Sequence, residues 1–193
     1  MKQLMFSLVI IITILLVNGC KSKDSKGAPN TVKEDFFPIL PVINSQVAHV
    51  DTSMYMIIKL NSRDSTWDST YIKREEFRGY AAEFLSLPDL TRKELTDLYT
   101  ETKFFDASLN LAIFTYQAKD KSATIQKEEI TIAPGDDGHD KMKNIIVDKL
   151  AGTADSTVTK HMLWNVDQSF QISSIIQKRG KPDSIFTTKI TWQ

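Results

Sequence analysis

The sequence predicts an α+β fold: a large curved antiparallel β-sheet of meander type with about three helices packed on it. Three observations lead there. Apolar residues alternate with period two in segment after segment of the second half of the chain. Turn signals separate these segments closely, as in "PGDDG" at 134–138 and "RGKPD" at 179–183. Links this short join antiparallel neighbours, because parallel strands need crossovers of about a dozen residues or more. Helical spacing, by contrast, is confined to the stretch between Pro41 and Tyr99, which sets a few helices against a mostly β chain.

Length and charge bound the function. The 193 residues suffice for one domain with extensions. Lys and Arg total 24 and so do Asp and Glu, for a formal net charge of zero. Nucleic-acid binding needs a basic surplus that releases counterions, so this balance argues against it. It also gives no general attraction to an anionic membrane surface. A content of 41% hydrophobic and 25% charged residues of mixed sign is that of a folded domain.

Residues 1–19 read as a signal peptide. Lys2 supplies a small positive region, and Leu4–Val17 is apolar apart from Ser7 and Thr13. As a helix this run spans ~21 Å at about 1.5 Å per residue, short of the ~30 Å hydrocarbon core. It ends at a small residue, Gly19, followed by the single cysteine of the chain. Val17-Asn18-Gly19-Cys20 resembles the lipobox of bacterial lipoproteins, Asn18 standing where Ala or Ser is usual. The resemblance implies cleavage between Gly19 and Cys20 and lipidation of Cys20 as the new amino terminus. Export chemistry agrees: a lone thiol is a liability in an oxidising compartment, and no second cysteine exists to pair with it. The family's anchor carries a diacylglyceryl group, and two acyl chains hold stably where one holds marginally.

Residues 20–35 follow as the lipidated cysteine and a flexible tether rich in Lys, Ser, Asp, Gly, Pro and Asn. Its typical span is ~20 Å, which keeps the domain near a membrane without requiring contact. Lys21, Lys23 and Lys26 outnumber Asp24, so the acidic run that marks surface export in some bacterial groups is missing. The expected location is the outer membrane, facing the periplasm.

Residues 36–193 form a single globular domain, with no break that suggests a second. Pro41 suits the first turn of a helix through Val50, with Ile43, Val47 and Val50 on one side. Arg74–Leu85 places Phe77, Tyr80, Ala81 and Phe84 at helical spacing, with Glu75 and Glu76 in the first turn. Thr91 and Glu94 have the spacing of a capping box, and Leu90 and Leu95 that of a staple across it. Met54, Met56, Ile58 and Leu60 alternate as a strand, followed by a polar loop at 61–69 and a return through Tyr71 and Ile72. Further strands are expected at Phe104, 109–116, 125–132, 145–150, 158–166, 169–177 and 184–192. Aligning Trp164 with Trp192 also matches Val158 with Phe186 and Met162 with Ile190, which two strands facing one core would produce.

The candidate chemistry is sparse. Asp136, Asp137, Gly138, His139 and Asp140 gather possible cation ligands, but an EF-hand loop beginning at Asp136 would need Glu where Val147 stands. The segment reads instead as a hairpin turn, Asp-Gly supplying positive φ. His49, His139 and His161 lack zinc-site spacing. No nucleophile elbow, phosphate loop or dinucleotide fingerprint is present, and neither a metal nor a cofactor is expected. Glu75/Glu76 and Glu128/Glu129 put neighbouring carboxylates on different sides of their elements. Trp67, set among polar residues beside Arg63 and Asp68, suits contact with a sugar or protein partner; the competing reading folds its ring over the sheet edge. Trp164 and Trp192 read as core or sheet rim.

These observations favour a non-catalytic binding module, its partner another envelope protein. The alternative is a periplasmic carrier or sensor with a lipid-like ligand between sheet and helices, Met54 and Met56 forming an adaptable lining. An envelope hydrolase with carboxylates drawn from distant strands ranks third.

Overall fold

Nine strands form among the described residues, and all of them pair antiparallel in one sheet. The computed structural model describes residues 36–63, 66–135, 138–153 and 155–193. The signal peptide, Cys20 and the tether lie outside these residues, as do Asp136 and Asp137 of the acidic turn. Helix α1 (Ile39–Thr52) opens the domain and leads into the hairpin β1 (Ile57–Arg63) and β2 (Thr66–Tyr71). Three short helices follow: α2 (Arg74–Tyr80), α3 (Ala82–Leu85) and α4 (Lys93–Thr96). The chain then runs as a meander through β3 (Tyr99–Asp106), β4 (Leu111–Ala118), β5 (Ile125–Ala133) and β6 (Lys141–Thr153). It finishes with β7 (Ser156–Asn165), β8 (Ser169–Lys178) and β9 (Ser184–Trp192). Spatial order is β2-β1-β9-β8-β7-β6-β5-β4-β3, so β9 returns beside β1 and the sheet stays open, with β2 and β3 at its edges. Tight links make this possible. Gly138 at φ 79 and Gly180 at φ 72 turn β5 to β6 and β8 to β9 in a backbone conformation that costs glycine little.

The helices cover one side of the sheet. Ile39, Ile43, Val47 and Val50 of α1 and Phe77 and Phe84 of α2 and α3 are buried with Trp164, Phe170, Ile190 and Trp192 of β7–β9. Phe84 meets Trp164 edge-on at 5.0 Å, and Trp164 stacks on Phe170 at 5.1 Å. Polar contacts fix the helices at their margins. Gln46 of α1 donates to Asp167 Oδ1 and accepts the Asp167 N–H, both at 2.7 Å. Glu83 of α3 receives Lys160 Nζ of β7 at 2.6 Å. Arg78 pairs with Asp51 at 2.6 Å, tying α2 to α1.

Several elements depart from the sequence reading. Pro41 does sit in the first turn, but the helix begins two residues earlier, at Ile39. The segment 74–85 is two helices, because Ala81 at ψ −5 breaks the run just after Gly79. Helical segments among the described residues therefore number four. Thr91 does not cap α4: its N–H and hydroxyl both bond Asp89 Oδ1, at 3.0 and 2.7 Å, and Arg92 takes the cap position. The polar stretch 61–69 is mostly strand, with Trp67 opposite Ser62. Met54 and Met56 precede β1, and Met54 is 92% exposed, so neither lines an interior. Ile57, between Met56 and Ile58, is the residue that enters the core.

Candidate functional site

Strand register assigns each polar side chain to one side of the sheet, because residues directly opposite each other point the same way. The side the helices cover holds a buried polar row among its apolar neighbours: Glu101, Tyr116 and Glu128 on β3, β4 and β5. Tyr116 is fully buried, Phe36 stacks on it at 4.0 Å, and its hydroxyl accepts the Phe37 N–H at 3.0 Å. Burial, reinforced by the Asp89 carboxylate, pushes the Glu128 carboxyl up to about 8. Burial also raises Tyr116 and Tyr99, the latter with a smaller push from Glu128. An acid held neutral near neutral pH has the right character for general acid chemistry. This one is 2% exposed, and its row reads as structural. The sequence showed Glu128 and Glu129 on opposite sides, and they are; only the three-strand register reveals Glu101 as the second buried carboxyl.

The uncovered side carries a row of a different kind: Asp148, His161, Ser173 and Thr187 on β6 to β9. His161 Nδ1 lies 2.6 Å from Asp148 Oδ1. The order is that of a Ser-His-Asp relay, yet the serine is engaged elsewhere. Its Oγ sits 3.0 Å from Thr187 Oγ1 and accepts the Gln171 side-chain amide at 3.1 Å. The amides of these interior strands are committed to the sheet ladder, which leaves none to stabilise an oxyanion. The row is a polar ladder across the uncovered side of the sheet. No single segment spacing could have shown it, since its members come from four strands.

The hairpin β1–β2 carries the residues singled out for partner contact. Arg63, Trp67 and Asp68 all border a shallow concavity of about 410 Å³ at its tip, with Asn61, Phe186 and Thr188. Alternation splits them. Arg63 and Asp68 point to the helix-bearing side, where the Arg63 guanidinium lies 4.7 Å from the Phe186 ring centre. Trp67 points to the uncovered side with Ser62 and remains 59% exposed. Tyr71, two steps along, is exposed on that same side. The ring is not folded over the edge. Trp164 and Trp192 are buried in the core, and His161 lies opposite in orientation to Met162 and Trp164, half exposed. Among the described residues, no group of three or more His, Cys, Asp or Glu is placed to hold a metal ion. No family model, curated protein or solved structure matches the chain.

Proposed function

We propose that the chain is an α+β binding module of the cell envelope, non-catalytic, held in the outer membrane by lipidated Cys20 and facing the periplasm. Its partner is another envelope protein, met by the hairpin β1–β2 and the adjoining uncovered side of the curved sheet. The observation that carries this reading is the exposure of Trp67 and Tyr71 together on an outermost hairpin. Large aromatic rings on a rigid strand supply contact area at low entropic cost, and they dominate interface energetics.

The packing supports binding over carriage. An apolar carrier holds its ligand between sheet and helices, and there Phe77, Phe84, Trp164, Phe170 and Trp192 fill the space against one another. Native mass spectrometry of the full-length protein, extracted from its host membrane in mild detergent, tests this. The reading expects a mass accounted for by protein and anchor alone. A stoichiometric additional small molecule would move the assignment to the carrier.

A further inference from the structure

Strand β3, "YTETKFFD", ends the sheet on the side away from the hairpin. Its inner partners are fixed by β4, and the Lys119 N–H bonded to Leu98 O at 3.0 Å sets the phase of the ladder. Thr100, Thr102, Phe104 and Asp106 therefore direct their backbone groups inward. Tyr99, Glu101, Lys103 and Phe105 direct theirs outward. Among the described residues no backbone bond reaches that outer row. Edges of this kind are normally blunted by brevity, proline, a bulge or a charge. β3 has eight residues, no proline and a regular register with β4. Phe104 and Phe105 are 60% and 57% exposed, and exposed Leu98 and Leu109 flank the strand.

We infer that β3 pairs antiparallel with β3 of a second copy of this chain, about a twofold axis through Thr102, joining two sheets edge to edge. The register is written in the side chains. With Thr102 facing its own copy, Glu101 meets Lys103 of the second copy, and Lys103 meets its Glu101. Tyr99 and Phe105 pair as aromatics at the ends, and Phe104 covers Thr100 on the other side. The outward backbone groups of Tyr99, Glu101, Lys103 and Phe105 then face one another in hydrogen-bonded pairs, roughly eight new bonds at two per pair. Moving the axis by one residue sets Glu101 against Glu101 or Lys103 against Lys103, and like charges directly opposite are destabilising. Intermediate slips set outward groups against inward ones.

Lys103 is also the feature that discourages other partners. A charged side chain in mid-strand opposes arbitrary strand addition, and a copy of this same strand supplies its counter-ion. Glu101 Oε2 already holds Lys103 of its own chain at 2.9 Å, and its side chain is only 3% exposed, so the Lys103 of the second copy joins an existing ion pair from the outer edge. The pairing leaves the hairpin at the opposite edge free, so it stands or falls independently of the partner surface around Trp67.

Disulfide trapping in the full-length, membrane-anchored protein tests it. Thr102→Cys places two thiols across the axis at a non-hydrogen-bonded pair, ~4.5 Å between Cα atoms, within reach of a disulfide. Mild oxidation should give a dimer at least ten-fold faster than the exposed controls Ser69→Cys on β2 and Thr157→Cys on β7. Adding Lys103→Glu should cut the yield several-fold, and Glu101→Lys with Lys103→Glu should restore it. A Thr102→Cys protein that stays monomeric, or that crosslinks no faster than either control, overturns the inference.

Discussion

Glu128 stands directly opposite Tyr116 across β4 and β5, and both side chains are buried on the helix-covered side of the sheet. The carboxyl titrates at about 8 in the fold, against an ordinary value of 4.5. Between those values the folded state holds a proton that the unfolded chain has released. Stability from this group is therefore fully present below about pH 4.5 and is lost as pH rises towards 8. Each unit corresponds to roughly 1.4 kcal/mol, so the loss is on the order of several kcal/mol. Urea unfolding at about pH 5 and about pH 9 should show the midpoint falling, and Glu128→Gln should flatten most of that fall. A wild-type midpoint that rises over this interval would contradict the assignment.

Asp89 supplies part of the push. Asp89→Asn keeps an oxygen for the Thr91 N–H and hydroxyl but removes the negative charge. It should lower the Glu128 midpoint and shrink the loss at high pH. Asp89→Ala should additionally cost about 1 kcal/mol through the lost turn bonds. Identical pH profiles for wild type and Asp89→Asn would show that burial acts alone.

Trp164 is the largest fully buried side chain, ringed by Phe84, Phe170 and Trp192. Trp164→Ala should cost about 3–5 kcal/mol. Trp164→Phe should cost clearly less, because it also removes an indole Nε1 that is buried without a partner. Equal losses in urea titrations would mean that the indole nitrogen is satisfied in solution.

Strands with one buried side announced themselves in the sequence. β7 to β9 lie within a residue or two of their expected bounds, because buried Met162, Trp164, Ile190 and Trp192 alternate with less buried, mostly polar neighbours on the uncovered side. β2 was illegible for the converse reason. All six of its residues are exposed on both sides, which leaves no alternation to read. The Met54–Leu60 series had the right period and the wrong side: Ile58 and Leu60 face away from the helices, while Ile57 and Lys59 face them, Lys59 reaching the Tyr80 hydroxyl at 3.0 Å. A lysine on the inner side masked the core phase. The Thr91–Glu94 spacing misled because Asp89, two residues upstream, competes for the same N–H and hydroxyl. Trp67, Arg63 and Asp68 lie on one hairpin, but their division between its two sides required the register.

Trp67 is exposed whereas Trp164 and Trp192 are buried. Acrylamide should therefore quench one fluorescence component strongly, and Trp67→Phe should abolish that component. Trp67→Ala should alter stability by no more than about 0.5 kcal/mol, the expectation for a surface site. A cooperative loss of stability would place the ring in the core.

Cys20→Ala should abolish acylation and leave an uncleaved precursor or a soluble product. Detergent phase partitioning with intact-mass measurement checks this. A cleaved Cys20→Ala protein that still carries lipid would sink the lipoprotein assignment.

The proposed function rests on protein contact at the outermost hairpin, around exposed Trp67. A photo-crosslinking amino acid placed at position 67 of the full-length protein, in intact host cells, reports on that contact most directly. A contact at the hairpin gives a discrete heterologous adduct from position 67 that is absent when the probe stands at Lys181. Adducts of equal pattern from both positions, or none from position 67 while the parent protein is correctly anchored, would contradict it.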